Sequence, residues 1–216
     1  MPFERELEGR VAVITGAGRS IGRAMAIELA NAGCNVVVNV RSNRAEGEEV
    51  VNAVEKAGGR GMVGVADVID PKAVNAMVDA ALQKFGRIDY LVNNAALRQE
   101  KSIEHLTFED WRKVIGITLD GAFHCVKACL ESIKKSDAGS IINVGGLTGA
   151  MGAPDRVHVV TAKAGIAGFT RGLAMELAPH KITVNTLVPA MLARPDKPNE
   201  IPAHPVYVPL LGRAAW

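Results

Sequence analysis

Positions 11–22 read VAVITGAGRSIG, a junction where an anion can be held by backbone alone. Val11, Val13 and Ile14 lie in an apolar run without the alternation of a half-exposed strand, the pattern of a parallel sheet covered on both faces. Gly16 and Gly18 allow a tight turn and the close approach of a pyrophosphate. The segment SIGRAMAIELANAG then opens a helix whose free N–H groups and positive dipole end face that anion. Gly22, inside the helix, would let it pack close to the sheet. The competing reading is a plain strand–turn–helix whose glycines serve only the turn, and spacing alone does not separate the two.

The elements that must position this loop alternate regularly. Strand 11–15 leads to a helix over 20–32, NVVVNV at 35–40 is a second strand, and a helix follows over about 43–57. Residues 61–65 form a third strand. Asp70 is an N-cap with Pro71 at the first helical position, and that helix runs to Phe85, where Gly86 ends it. Residues 88–92 are the fourth strand. Thr107-Phe108-Glu109-Asp110 resembles a capping box and starts a long helix reaching about Lys135. Strand 140–144, helix 157–178 and strand 182–187 complete the series. Strands alternating with helices imply an α/β fold with a parallel, doubly wound sheet. From Pro189 the chain changes character, and residues 189–216, with Pro195, Pro198, Pro202, Pro205 and Pro209, read as an irregular, proline-rich loop region.

Composition narrows the class. With 216 residues and 48% hydrophobic content, residues 1–216 form one domain with one sizeable core. A net charge of +2 carries no footprint for nucleic acid or an anionic membrane. No signal peptide and no long apolar run is present, so a cytoplasmic location and no membrane span are expected. Cys34, Cys125 and Cys129 have no metal-ligand pattern, and no metal is expected. Cys125 and Cys129, four apart on one helical face, read as small core residues.

Six motifs stand in order: TGAGRSIG from Thr15, ADV containing Asp67 and Val68, Asn93-Asn94-Ala95-Ala96, GSIINV before Gly145, AKAGIAGFTRGLAMELAP, and ITVNTLVPA containing Pro189. Together they resemble the short-chain dehydrogenase/reductase family over nearly the whole chain. Ser20 replaces a glycine of that family's TGxxxGxG loop, Ala96 the last glycine of NNAG, and Ala190 stands where PG is usual. The resemblance implies a Rossmann-type fold with helices on both faces and a nicotinamide dinucleotide. Its binding positions would be Thr15, Gly16, Arg19, Ser20, Ile21, Gly22, Arg41, Asp67, Val68, Asn93, Ala95, Lys163 and Pro189, with Asp67 at the adenine.

The end of the second strand decides how the adenosine ribose is read. A carboxylate there accepts from a 2′-hydroxyl, whereas a 2′-phosphate needs cations. Here the strand ends NVRSNR, so Arg41 occupies the decisive stretch, Arg44 follows, and Arg19 lies in the glycine loop. Guanidinium forks suit phosphate geometry, so NADP is expected ahead of NAD. The alternative is that Arg41 and Arg44 are solvated charges at a helix start.

The resemblance also implies a catalytic Tyr, a Lys four residues later that binds the nicotinamide ribose and lowers the tyrosine pKa, a Ser that polarises the substrate oxygen, and an Asn that holds a relay water. Lys163 matches the Lys. The Tyr position is Val159, the Ser position Gly146 and the Asn position Thr118, while Arg194 stands where a Thr usually touches the carboxamide. Among possible substitutes, His158 is expected at an interface or the surface, because adjacent helical residues point about 100° apart. Arg156 would share the face of Lys163 if the helix extends that far, and His124 lies on the side opposite Thr118. Tyr90 reads as a packed strand residue, and Tyr207 is a speculative donor from the tail.

The family follows its substrate loop with one more helix and a seventh strand, and the 216 residues end before them. Two functions remain open. One is an NAD(P)-dependent oxidoreductase acting on a small-molecule carbonyl or alcohol, with impaired or altered chemistry. The other is a non-catalytic NADP-binding sensor or oligomer partner. A homodimer is expected through the helices around 111–135 and 157–178, which carry Gly121, Ala122, Ala128, Ala164, Gly165, Ala167 and Gly168.

Overall fold

The computed structural model describes residues 5–189; Arg194, Tyr207 and the proline-rich region beyond Pro189 lie outside it. Six strands form one parallel sheet in the order β3-β2-β1-β4-β5-β6. They are β1 (Val11–Ile14), β2 (Asn35–Val40), β3 (Gly61–Val65), β4 (Tyr90–Asn93), β5 (Ser140–Val144) and β6 (Thr183–Leu187). The helices are α1 (Ser20–Asn31), α2 (Arg44–Lys56), α3 (Pro71–Phe85), α4 (Phe108–Ile115), α5 (Gly121–Lys134), the single turn α6 (Thr148–Met151) and α7 (Val157–Leu177).

The continuous apolar runs of β1 and β2 arise because both faces of the sheet are covered. Val11, Val13, Val37, Leu91 and Ile141 share one core with residues of α3, α5 and α7, including Val74, Met77, Cys125 and Ile133. Their strand neighbours Ala12, Ile14, Val36, Val38 and Val92 point the other way, onto Ala26 and Ala30 of α1 and Val50 and Val54 of α2. Cys125 and Cys129 are buried free thiols within the first core, and burial pushes the Cys125 thiol up to about 12.

Start and stop signals hold where a side chain enforces them. Asn43 caps α2, Asp70 caps α3 with Pro71 behind it, and Gly86 closes α3 in the left-handed region at φ 79°. Thr107 and Asp110 make a reciprocal capping box at α4.

Several boundaries shift by one residue, the short helix α6 is absent from the sequence reading, and two departures are larger. The fourth strand begins at Tyr90 rather than at position 88, because the backbone of Ile88 is occupied by the Ser132 hydroxyl. That hydroxyl accepts from the Ile88 N–H at 2.7 Å and donates to its carbonyl at 3.1 Å. The long helix after Thr107 is not continuous. A π-turn over Gly116–Asp120 joins α4 to α5, with the Gly121 N–H bonded to the Gly116 carbonyl. A Cβ at Gly121 would lie 2.6 Å from Val68 Cγ2, so the extra residue seats α5 against the segment after β3.

Candidate active site

The strand order reverses between β3-β2-β1 and β4-β5-β6, so the crevice at the carboxyl ends of β1 and β4 is where an open α/β sheet takes a ligand. Thr15 and Gly16 leave β1 at this point. Gly16 has φ +60°, and a Cβ there would lie 3.1 Å from Ala95 Cα on the segment after β4. The two segments are bonded together. The Thr15 hydroxyl accepts from the N–H groups of Asn94 and Ala95, both at 2.9 Å, and Asn94 Nδ2 donates to the Thr15 and Gly16 carbonyls. Gly22 packs on this loop rather than on the sheet: a Cβ would meet the Gly16 carbonyl oxygen at 2.6 Å.

Asn39, not singled out by its sequence, organises the loop from beneath. It is buried in β2. Its Oδ1 accepts from the Gly16 N–H, its Nδ2 donates to the Gly64 and Ala66 carbonyls, and its own carbonyl accepts from the Ala17 N–H. The available signal was a lone amide inside an apolar strand. Gly16 and Ala17 spend their N–H groups on Asn39, which leaves Ser20, Ile21 and Gly22 at the start of α1 as the residues that could hold an anion. That start has no side-chain cap, unlike α2, α3 and α4, and no acidic residue in its first turn, unlike α2 and α4. The free helix start, the glycine cradle, the switch-point crevice and the backbone tether together fit a dinucleotide pyrophosphate. Ser20 holds φ 50° where a glycine would be unstrained.

Arg19, the last residue of this loop, and Arg41, just after β2, are exposed and make no ion pair among the described residues. Arg44 pairs loosely with Glu48 at 3.9 Å. A carboxylate also borders the loop, since Glu46 Oε2 would lie 3.0 Å from a Cβ at Gly18. Asp67 is half-buried and accepts from the Ile69 N–H at 3.2 Å, and buried Val68 offers its carbonyl to His124 Nδ1 at 3.0 Å, which makes His124 a structural group. Asn93 is buried and donates to Asn143 Oδ1 at 2.8 Å; its own Oδ1 has no partner among the described residues.

On the far side of the crevice, Lys163 of α7 donates to the Val144 carbonyl at 2.6 Å, and burial lowers its ammonium to about 8. Gly146 lies beside it: a Cβ there would meet Lys163 Cγ at 3.7 Å, an ordinary contact. Val159, one turn before Lys163, is packed with Val114 and Ala162 against Leu97 and Ile115. Thr118 is buried within the π-turn. The structure thus gathers Lys163 and Gly146, while Val159 faces an apolar cluster.

Two expectations about substitutes are corrected. His158 is not at the surface but fully buried, because α4 and the loop after β4, through Leu97 and Lys101, cover the start of α7; neither ring nitrogen is bonded among the described residues. Burial lowers its pKa, with Asp110 opposing and Lys101 assisting. Arg156 precedes the helix instead of extending it; it is buried and ion-paired with Glu100. Tyr90 is a packed strand residue, as read. A cavity of about 460 Å³ opens between Ser102–Glu104 and Ala153–Val157, and neither Lys163 nor Gly146 lines it.

A family model described as short chain dehydrogenase matches residues 10–202. The chain belongs to the short-chain dehydrogenase family. Among curated relatives of this family, a 3-oxoacyl-[acyl-carrier-protein] reductase of Synechocystis sp. is 37% identical over 206 residues, covering 94% of this chain and 83% of the relative. The corresponding Staphylococcus aureus reductase is 35% identical over 181 residues, 84% of this chain and 74% of its own. Among solved structures, a putative short-chain alcohol dehydrogenase from Sinorhizobium meliloti superposes with a TM-score of 0.83 at 34% identity, covering 87% of this chain and 74% of that one. NAD+-bound xylitol dehydrogenase gives 0.82 at 32%, with 86% and 71% covered. Among the described residues no helix is long and apolar enough to cross a membrane.

Proposed function

We propose that this short-chain dehydrogenase is an NADP(H)-dependent, cytoplasmic carbonyl reductase of slow turnover, with 3-oxoacyl esters and thioesters as the substrate class. The observation that carries the reading is the start of α1 without a side-chain cap, together with exposed Arg19 at its N-cap and exposed Arg41 after β2, neither ion-paired among the described residues. Ser20, Ile21 and Gly22 would hold the pyrophosphate, and Arg41 with Arg19 the 2′-phosphate. Asp67 and Val68 border the adenine side, Asn93 and Ala95 the floor, and Pro189 the nicotinamide end. The substrate class is suggested by the 3-oxoacyl reductases at 35–37% identity.

When bound, the reduced nicotinamide supplies a hydride to the carbonyl carbon. The chain must supply the proton, and we assign that role to Lys163. One of its ammonium protons is held by Val144, and another can pass to the substrate oxygen, the amine recovering its proton from water. A Lys163 held near 8 is protonated below that pH. Reduction is therefore expected to slow as the pH rises through about 8. The second reading, a non-catalytic NADP-binding sensor, is favoured by the enclosure of Val159 among Val114, Leu97 and Ile115.

NADPH oxidation against a panel of 3-oxo esters, run beside calorimetric titration of both dinucleotides, tests these readings together. NADPH is expected to bind more tightly than NADH, and Arg41→Asp to reverse the order. Equal affinities in the parent would reject the cofactor assignment. Binding without turnover of any 3-oxo ester would favour the sensor.

A homodimer through α4, α5 and α7 is part of the same proposal. Phe108 and Met175 are 77% and 81% exposed. The small-residue stripe is only partly available, since Gly121 packs on Val68 and Gly165 on Leu119, leaving Ala164 and Gly168 outward. A monomer by light scattering at micromolar concentration would count against it.

A further inference from the structure

Thr148 opens α6, and the approach of that turn to α7 depends on Gly149. A Cβ at Gly149 would lie 2.8 Å from the backbone carbon and the Cβ of Lys163. Glycine therefore lays the Thr148 turn directly against the lysine. At Gly146, where the family carries its serine, a Cβ would lie 3.8 Å from Thr148 Oγ1 as well as 3.7 Å from Lys163 Cγ. A serine hydroxyl sits one bond from its Cβ, so the Thr148 hydroxyl occupies the neighbourhood that the missing hydroxyl would fill.

That hydroxyl is also uncommitted. The hydroxyls of Thr15, Thr107, Thr161, Thr170, Thr183 and Thr186 are all hydrogen-bonded. Thr118 and Thr148 are the remaining described threonines, and neither hydroxyl has a partner among the described residues. Thr118 is buried within the π-turn, whereas Thr148 is half-buried beside Lys163.

We propose that Thr148 donates a hydrogen bond from its hydroxyl to the carbonyl oxygen of the substrate, replacing the serine that Gly146 lacks and holding that oxygen next to Lys163. The inference rests on the carbonyl-reductase reading above. A neutral donor fixed beside the oxygen gains strength as negative charge develops there, so its removal weakens the transition state more than the ground state. Valine has the shape of threonine without the donor, and serine keeps the donor without the methyl group.

The test uses the full chain and ethyl acetoacetate as the 3-oxo ester. Thr148→Val is expected to lower kcat/KM by about 10²–10³-fold, mostly through kcat. Thr148→Ser is expected to stay within about threefold of the parent, and NADPH affinity by calorimetry to stay unchanged in both, as for any group that acts on the substrate alone. Gly146→Ser added to Thr148→Val is expected to restore the loss. A readout that needs no turnover is the infrared band of ethyl acetoacetate labelled with carbon-13 at the ketone, bound with oxidised cofactor. The band is expected at lower frequency in the parent and in Thr148→Ser, and at the free-ester position in Thr148→Val. Ester binding and turnover that are identical in Thr148→Val and the parent would overturn the inference alone. A parent that neither turns over nor binds the ester would overturn the reductase reading and this inference with it.

Discussion

Introducing tyrosine at Val159 and serine at Gly146 together is expected to raise the turnover of NADPH-dependent ketone reduction by about 10²–10⁴-fold, the range a positioned general acid contributes. Four residues separate Val159 from Lys163, so both lie on one face of α7. A phenol there would sit beside an ammonium that favours its ionised form. The serine fits without strain, because a Cβ at Gly146 meets nothing closer than 3.7 Å. The tyrosine is harder to place. Its ring must leave the space shared with Val114, Leu97 and Ile115 and project into the crevice, and overpacking of this kind costs about 1–3 kcal/mol. Each single variant is expected to gain far less than the pair, since residues that act as one unit fail or succeed together. Thr118→Asn adds the relay position. Initial rates of NADPH oxidation with a 3-oxo ester, read beside a thermal melt, provide the check. A folded, NADPH-binding double variant no faster than the parent would contradict the placement of Val159 and Gly146.

Removing the carboxylate of Asp89 is expected to cost about 3 kcal/mol of stability, the lower end of the range for breaking a buried ion pair. Asp89 is fully buried at the foot of the sheet. It accepts from the Val11 N–H at 2.9 Å and the Ser136 hydroxyl, and it pairs with Arg10 and Arg87. The lower end applies because both arginines reach water and Arg10 keeps Asp137 as a partner. Urea unfolding of Asp89→Asn measures the loss, which corresponds to a fall in Tm of about 6–12 °C. Burial opposes ionisation of Asp89, but Arg87, Ser136 and the Val11 N–H outweigh it and hold its pKa below the usual aspartate value. The folded state therefore resists protonation more than the unfolded chain does. The stabilisation is complete above the ordinary aspartate pKa and is lost as the pH falls below it. The acid limb of the stability curve is expected to flatten in Asp89→Asn. An unchanged urea midpoint would show that the hub is dispensable.

Much of this architecture is written in local signals. The apolar runs of β1 and β2, the caps at Asn43, Asp70 and Thr107, and Gly86 with its positive φ each act over a few residues, so spacing and type suffice to read them. The features that escaped depend on distant partners. Ser132 takes the backbone of Ile88, forty-four residues away, and so shortens β4. The π-turn answers to contact with Val68, and α6 exists because Gly149 fits against Lys163. His158 is enclosed by α4 and a loop that no periodicity places over it. At the site, the glycine loop and Lys163 were legible because short patterns carry them. Asn39 and Thr148 were not, since each acts through groups that only folding brings near.

The tether beneath the glycine loop has a thermodynamic consequence. Asn39 fixes Gly16 and Ala17, and Thr15 and Asn94 fix the facing segment, through hydrogen bonds made wholly within the protein. Capture is then a docking onto a rigid cradle rather than a folding event. Little backbone entropy remains to be lost, so the heat-capacity change should track the apolar surface of the dinucleotide alone, and the association rate should carry no slow conformational phase.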